Sequence, residues 1–374
     1  MRLSLLIGNE IKKFIVGLII EWIGRTETKV NRIIRMFRRN KKEAKEESED
    51  LSNFIRRSTP IEAFPEDIKA NYVPTNDEYT EEQVEKFKEL REHIDTTKEF
   101  PIIEKDVKNF VNHKAHDIKV QPLAEIEKFW LSDKCLYRYL KACKWVLKDA
   151  TERLVLTIAW RREFGIIKLK EESSESAEKE RLLGFDDISE ENETGKELLM
   201  GFDNDMRPIL YLKPGRQNTQ PSKRQVQHLV FMLERAIDLM DENIQDSLTL
   251  IIDFKNKHDD VDKVTSKLPP LSVGKEVLHI LQTHYPERLG RALLFNMHWI
   301  AKSFLNLISP FIDPMTRSKI VYDVKDVEQY IKKDQLEKDY GGLILFKYEH
   351  QKYWPALQKL TEEKRADKYA SIEV

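Results

Sequence analysis

The residues best placed for chemistry lie between Leu271 and Val324, where charge concentrates at the junctions of apolar segments. Glu287 and Arg288 sit in Tyr285-Pro-Glu-Arg-Leu-Gly290, and Asp313, Arg317 and Lys319 in Asp313-Pro-Met-Thr-Arg-Ser-Lys319. An apolar helix beside strands, with a few charges at its ends, can wall a pocket for a greasy ligand with a polar head. Two candidates stand outside this stretch. Asp253 ends the apolar run Ser247–Asp253, and strand ends in α/β sheets often carry chemistry, although such an acid more commonly caps the turn that follows. Lys213-Pro-Gly-Arg216 has the cations to hold a phosphate, or is a solvated basic turn after a strand.

No catalytic constellation accompanies them. The chain lacks G-x-S-x-G, a Walker loop and G-x-G-x-x-G. Its histidines are scattered, without the spacing of a metal site. Cys135 and Cys143, the only cysteines, lie on one expected helix, about 12 Å apart along its axis, too far to bridge. No enzyme, metal or cofactor is therefore expected. The 374 residues suffice for one large domain or two modest ones. A net charge of −2 does not suit nucleic-acid binding, and the sparse cysteines suit a reducing cytosolic setting.

The elements that position these residues follow from periodicity. In the first forty residues Leu3, Ile7, Ile11, Phe14, Leu18 and Trp22 share a helical face. Charged residues interrupt the run, so it is too broken to span a membrane. Val30, Ile33, Ile34 and Phe37 then repeat at helical spacing among arginines and lysines, a pattern that can lie on an anionic membrane surface. Residues 41–60 read as a solvated linker. Thr80-Glu-Glu-Gln opens a helix that runs to about Ile94. From Glu125 to Gly165 the pattern is helical, with Asp133 as a cap and a turn at Leu147-Lys-Asp149. Strands follow at Leu198–Phe202 and Ile209–Leu212, a helix from Arg224 to Met240, and a strand at Ser247–Asp253. The stretch from Leu271 adds helix, strand, helix, Pro-broken turn and strand. A short helix is expected from Ile331, ended by Tyr340-Gly-Gly342, and the charged tail from Thr361 is expected to fray. Strands alternating with helices indicate a mixed, largely parallel sheet covered by helices.

Several segments, in this order, resemble the CRAL-TRIO lipid-binding family. They are Tyr137-Arg-Tyr-Leu-Lys-Ala-Cys-Lys-Trp145, Trp160-Arg-Arg-Glu-Phe-Gly165, Arg207-Pro-Ile-Leu-Tyr, Tyr285-Pro-Glu-Arg-Leu-Gly, Pro310 to Ile320, and Tyr340-Gly-Gly. The likeness runs from about 125 to 345 and is nearest to fungal phosphatidylinositol transfer proteins of the Sec-fourteen type, in the subclass reported to bind phosphatidylinositol and sterol. It implies an α/β fold in which a helical N-terminal lobe precedes a mixed, largely parallel five-stranded sheet that encloses a lipid cavity. Periodicity, charge and the resemblance together suggest an amphipathic basic extension over 1–42, a linker over 43–78, the helical lobe over 79–170, the lipid-binding domain over 190–350 and a C-terminal tail over 351–374.

The resemblance also carries the family's inositol-headgroup residues onto Glu287, Thr316 and Lys319. The chemistry suits them: a phosphodiester takes a cation and a hydroxyl, and inositol hydroxyls take an acceptor. Lys144 matches the lysine of the lobe's motif, whereas Cys143 replaces its arginine. Phosphatidylcholine-binding members carry hydroxyl residues on the strand that ends at Asp253, where this chain has Leu248 and Leu250. Leucines there suit a wholly apolar second ligand, and sterol follows from the resemblance. Trp299, Phe304, Leu305 and Ile308 belong to the implied gate helix, Trp299–Ser309. The expected function is non-enzymatic phosphatidylinositol transfer between membranes by a monomer. It would be cytoplasmic and peripheral to the endoplasmic reticulum, lipid droplets or other membranes, with membranes and phospholipid as partners. The alternative is a sensor or scaffold that presents phosphatidylinositol to a lipid kinase without bulk transfer.

Overall fold

In a computed structural model of the chain, the described residues are 53–61, 72, 77–112, 118–167, 183–255, 270–322 and 324–370. The extension expected over 1–42, the run at 171–181 and parts of the linker expected over 43–78 lie outside them. The chain divides into two units, 1–54 and 55–374, and the second carries all the elements described below.

The stretch read as a solvated linker contains a strand, β1 (Ile55–Arg57). A lobe of short elements follows: α1 (Glu81–Thr96), β2 (Phe100–Pro101), α2 (Glu104–Val111), β3 (Val120–Gln121), α3 (Glu125–Trp130), α4 (Asp133–Ala142) and α5 (Leu147–Glu163). A capping box starts α1: Thr80 Oγ1 accepts from Gln83 N, and Gln83 Oε1 accepts from Thr80 N. Ser132, not Asp133, caps α4, because its hydroxyl reaches Cys135 N at 3.3 Å. The break before α5 falls at Cys143–Val146, earlier than expected; Lys144 and Trp145 both take left-handed backbone angles there, and Leu147 already begins the helix. Leu90, Leu136, Tyr139, Leu140, Leu154 and Ile158 are buried together as the lobe's core.

The remaining elements are α6 (Phe185–Ile188), β4 (Glu197–Phe202), β5 (Pro208–Leu212), α7 (Lys223–Asp238), β6 (Leu248–Asp253), α8 (Leu271–His284), β7 (Leu289–Phe295), α9 (Trp299–Ile308), α10 (Pro314–Ser318), β8 (Ile320–Val321), β9 (Ile344–Phe346) and α11 (His350–Tyr369). Five strands form one sheet in the order β4-β5-β6-β7-β8, antiparallel at the first pair and parallel thereafter. This is the mixed, largely parallel five-stranded sheet expected from the sequence. β1 joins β9 in a separate parallel pair.

Register decides which side chains share a face. Leu199, Leu210, Leu250, Ala292 and Ile320 align across the sheet, and Glu197, Leu212, Ile252 and Leu294 form a second row on the same face. The opposite face carries Tyr211, Ile251 and Leu293, each fully buried. Tyr340 packs there, with its ring centroid 5.7 Å from that of Tyr211 and 4.9 Å from that of Phe295.

Two other expectations fail in this C-terminal region. The helix expected from Ile331 is only a pair of 3-10 turns, Lys333–Gln335 and Lys338–Tyr340, ended by Gly341 at φ 96°. Of the tail expected to fray, 371–374 lie outside the described residues, and residues 361–369 form the end of α11, where Leu360 and Thr361 are buried. Its Arg365 and Lys368 reach Asp238 and Glu242, at 3.4 and 2.8 Å. Those partners lie more than 120 residues upstream, so local composition carried no sign of the docking.

Candidate functional site

The first row from Leu210 to Ile320, the second row and Leu248 line an apolar cavity of about 820 Å³. α7 contributes Leu229 and Leu233 to its wall, α8 Val273, Val277 and Leu281, and α9 Phe304, Leu305 and Ile308. Leu248, Leu250 and Ile252 alternate along β6 into this space, as period two requires. A second groove, of about 860 Å³, lies between the lobe, α7 and α11. Charged pairs line it, including Arg161–Glu234 at 2.8 Å and Arg288–Glu242 at 3.3 Å. The apolar cavity is the better candidate for a site because its charges gather at its margins.

One margin is the turn between α8 and β7. Tyr285 is buried, and its hydroxyl donates to Glu234 Oε1 at 2.6 Å. Arg288 is buried too and donates to Asp246 O at 2.6 Å. With its neighbours held inward, Glu287 takes a left-handed φ of 59° and lines the cavity. Gly290 completes the turn; a Cβ there would strike the Arg207 side chain. Across the cavity margin, Lys319 Nζ lies 3.1 Å from Glu287 Oε2, with the two side chains 22% and 28% exposed.

Lys319 and Thr316 are positioned by α10. Asp313 caps this helix by accepting from Thr316 N at 2.8 Å, and Pro314 occupies its first turn. Burial tends to raise the Asp313 carboxyl, but hydrogen bonds from the Thr316 side chain and from backbone N–H groups outweigh it, so the acid is held below its ordinary value. Lys319 N closes the turn on Thr316 O at 3.1 Å, and Lys319 O accepts from Ala292 N of β7 at 2.9 Å. Glu287, Thr316 and Lys319, separated by up to 32 residues in sequence, thus meet at one margin of one cavity. Lys144 also lines the cavity, from the left-handed turn between α4 and α5, and is exposed.

α9 has two apolar sides. Phe304, Leu305 and Ile308 line the cavity, whereas Trp299 is 63% exposed and Leu307 60% exposed. Trp299 therefore does not face the cavity, as the other three gate residues do. The far end of α9 is tied to α8 by Gln282 Nε2, which donates to Phe311 O at 2.8 Å, and by the Lys275 ammonium 4.3 Å from the Phe311 ring centre.

The two other sequence candidates have structural partners. Asp253 accepts from Lys255 N, Asn296 Nδ2 and Tyr340 Oη at 2.9, 2.6 and 2.9 Å, so it ties β6 to a turn and to the back of the sheet. Lys213 and Arg216 form neither a free phosphate cradle nor a solvated loop: both are buried. Lys213 pairs with Glu337 at 2.7 Å, and Arg216 Nε donates to Thr194 O at 2.6 Å. Sequence reasoning passed over Glu197, the ionisable member of an otherwise aliphatic sheet face. Its one sequence signal is an acid at the start of an apolar strand. No cluster of metal-ligating side chains occurs among the described residues, and no helix among them is long and apolar enough to cross a membrane.

Comparison with known proteins agrees with this architecture. Residues 192–342 match the CRAL/TRIO domain and residues 86–156 the CRAL/TRIO N-terminal domain. A CRAL-TRIO domain-containing protein of Schizosaccharomyces pombe is 41% identical over 299 residues, covering 80% of this chain and 26% of that protein. A phosphatidylinositol transfer protein of Saccharomyces cerevisiae is 38% identical over 302 residues, covering 80% of this chain and 82% of that protein. A phosphatidylinositol transfer protein of Eremothecium gossypii is 24% identical over 230 residues, covering 58% of this chain and 50% of that protein. The chain thus spans about a quarter of the first relative's length, most of the second's and half of the third's. With the helical lobe, the five-stranded sheet and the matches to both domain models, the chain belongs to the CRAL/TRIO family of lipid-binding carriers, which are not enzymes.

Proposed function

We propose that the chain carries phosphatidylinositol between membranes, one molecule at a time, with the acyl chains in the apolar cavity and the headgroup at Glu287, Thr316, Lys319 and Lys144. The observation that carries this reading is the Lys319–Glu287 pair at the margin of an otherwise aliphatic cavity. Lys319 and Lys144 supply positive charge for the phosphodiester, Thr316 a hydroxyl, and Glu287 an acceptor for inositol hydroxyls. The names of two relatives, phosphatidylinositol transfer proteins of Saccharomyces cerevisiae and Eremothecium gossypii, support the same ligand.

The aliphatic β6 argues against phosphatidylcholine as the second ligand. A phosphocholine group beside Leu248 and Leu250 would lose water without gaining partners from them, at a cost of about a few kcal/mol. An apolar lipid such as a sterol has no such penalty. α9 is the proposed gate, and its outer face fits a bilayer. Trp299 and Leu307, with Phe311 and Met315 beyond the helix, are exposed apolar side chains near Lys302 and Arg317, and such patches mark interaction surfaces. On this reading the protein works as a monomer at membrane surfaces in the cytoplasm, serving the endoplasmic reticulum or lipid droplets.

The test is transfer of labelled phosphatidylinositol between vesicles. Lys319→Ala and Glu287→Ala should each lower transfer roughly tenfold or more, the order expected when a charged hydrogen-bonding group is lost, with uptake of a wholly apolar probe nearly unchanged. Equal losses of both would contradict the headgroup assignment. Retention of the lipid with negligible exchange would favour presentation of phosphatidylinositol to a lipid kinase.

A further inference from the structure

The sheet face that lines the cavity carries a single acid, Glu197, at its edge strand. Glu197 pairs in register with Leu212, and that row continues through Ile252 to Leu294, near the C-terminal ends of the parallel strands. Glu287 precedes the N-terminal end of β7. Strand spacing and rise separate Glu197 from that end of β7 by about 20 Å, on the diagonal of the sheet. The Glu197 region is therefore remote from the headgroup margin.

Its hydrogen bonding is incomplete. Glu197 Oε2 is the one buried carboxylate oxygen without a hydrogen-bond partner among the described residues. Oε1 lies 3.4 Å from His228 Nδ1, and both nitrogens of this fully buried imidazole also lack hydrogen-bond partners. The neighbouring cations are engaged elsewhere: Lys196 with Glu191, and Lys213 with Glu337. Such orphaned groups are rare in folded proteins and call for a partner.

We propose that Glu197, backed by His228, anchors the uncharged hydroxyl of an apolar lipid held in the interior of the cavity. The inference rests on reading the cavity as a lipid carrier's. Burial pushes the Glu197 carboxyl up to about 8, against the Lys196 ammonium, so near neutrality it is largely the protonated acid, which donates one hydrogen bond and accepts another. Burial, and then the Lys196 charge, hold His228 well below its ordinary value, so the ring is neutral. The neutral acid suits a hydroxyl that both donates and accepts, and the neutral ring behind it, which does not line the cavity, adds no charge. They offer no charge to a phosphate, and an acyl chain offers them no hydrogen bond. A sterol and a diacylglycerol both supply this chemistry.

The experiment uses the full chain and two matched probe pairs: dehydroergosterol with its 3-deoxy hydrocarbon, and 1,2-dioleoylglycerol with its 3-acetyl ester. Wild type should bind the hydroxylated member of one pair roughly tenfold more tightly, the worth of about one net hydrogen bond, and the pair that responds identifies the lipid. Glu197→Leu should abolish the preference, and Glu197→Gln, which keeps a donor and an acceptor, should retain most of it. The ratio within a pair cancels any general loss of folded protein. Equal binding of both members of each pair by wild type, or a preference that survives Glu197→Leu, would overturn the anchor. Phosphatidylinositol transfer by the same wild-type protein separates the two readings: transfer without hydroxyl preference overturns only the anchor, and hydroxyl preference without transfer overturns only the proposed function.

Discussion

Glu287 is held at the cavity margin by its neighbours more than by its own contacts. Tyr285 and Arg288 are pinned inward by Glu234 and Asp246, and Gly290 lets β7 pass the Arg207 side chain. Arg207 cannot easily yield, since Ser247 and Asp205 hold it. Gly290→Ala should therefore destabilise the protein by about 1–3 kcal/mol, the range for overpacking, read from denaturant unfolding; an unchanged midpoint would show that Arg207 moves freely. The headgroup candidates came from the resemblance to the CRAL-TRIO family, carried by short motifs that hold their own turn residues: Pro286 and Gly290 around Glu287, Asp313 and Pro314 before Thr316 and Lys319. Glu197 was not legible, because its face is defined only once β4 is in register with β5. Lys213 and Arg216 were misread because their main partners, Glu337 and Thr194, lie far off in sequence.

At the scale of elements, the lobe meets the lipid-binding domain through a buried charge pair. Arg161 of α5 reaches Glu234 of α7 at 2.8 Å. Burial alone would raise the Glu234 carboxyl, but Arg161 and the Tyr285 hydroxyl outweigh it and hold it at about 2. A depressed carboxyl contributes stability that is present above its unfolded value, near 4.5, and lost as pH falls through about 2. Glu234→Gln should cost about 3 kcal/mol at pH 7, since it leaves Arg161 buried without its counter-charge. The gap from wild type should narrow as pH falls from about 4.5 to 2, and a pH-independent gap would show that the charge is immaterial.

α9 allows an equally direct test. A Cβ on Gly274 of α8 would lie 3.9 Å from Ile308 Cγ2, so the two positions face each other across the seam between α8 and α9. The double variant Gly274→Cys with Ile308→Cys should stop phosphatidylinositol transfer when oxidised and recover it on reduction; full transfer by the oxidised form would remove α9 as the gate. Long periodic elements such as α5, α7 and α8 were readable from their spacing. The turns at Lys333–Tyr340 and the docking of α11 were not, because tertiary contacts override local pattern there.

Across the whole molecule, the cavity is the space left when one aliphatic sheet face is roofed by α7, α8 and α9 and is not filled by their side chains. Alternating strands and helices made this architecture readable, and the resemblance to the CRAL-TRIO family pointed toward a carrier. Volume and mouth were beyond the sequence, because they depend on how far three helices stand from the sheet. The proposed ligands rest on three features of the cavity: a cation with an acid at its margin, Glu197 on its sheet face, and leucines on β6. Native mass spectrometry of the purified protein, with identification of the lipid it retains, tests this most directly. One phosphatidylinositol, or one apolar hydroxylated lipid, per chain is the expected result. Phosphatidylcholine as the main retained lipid would contradict it.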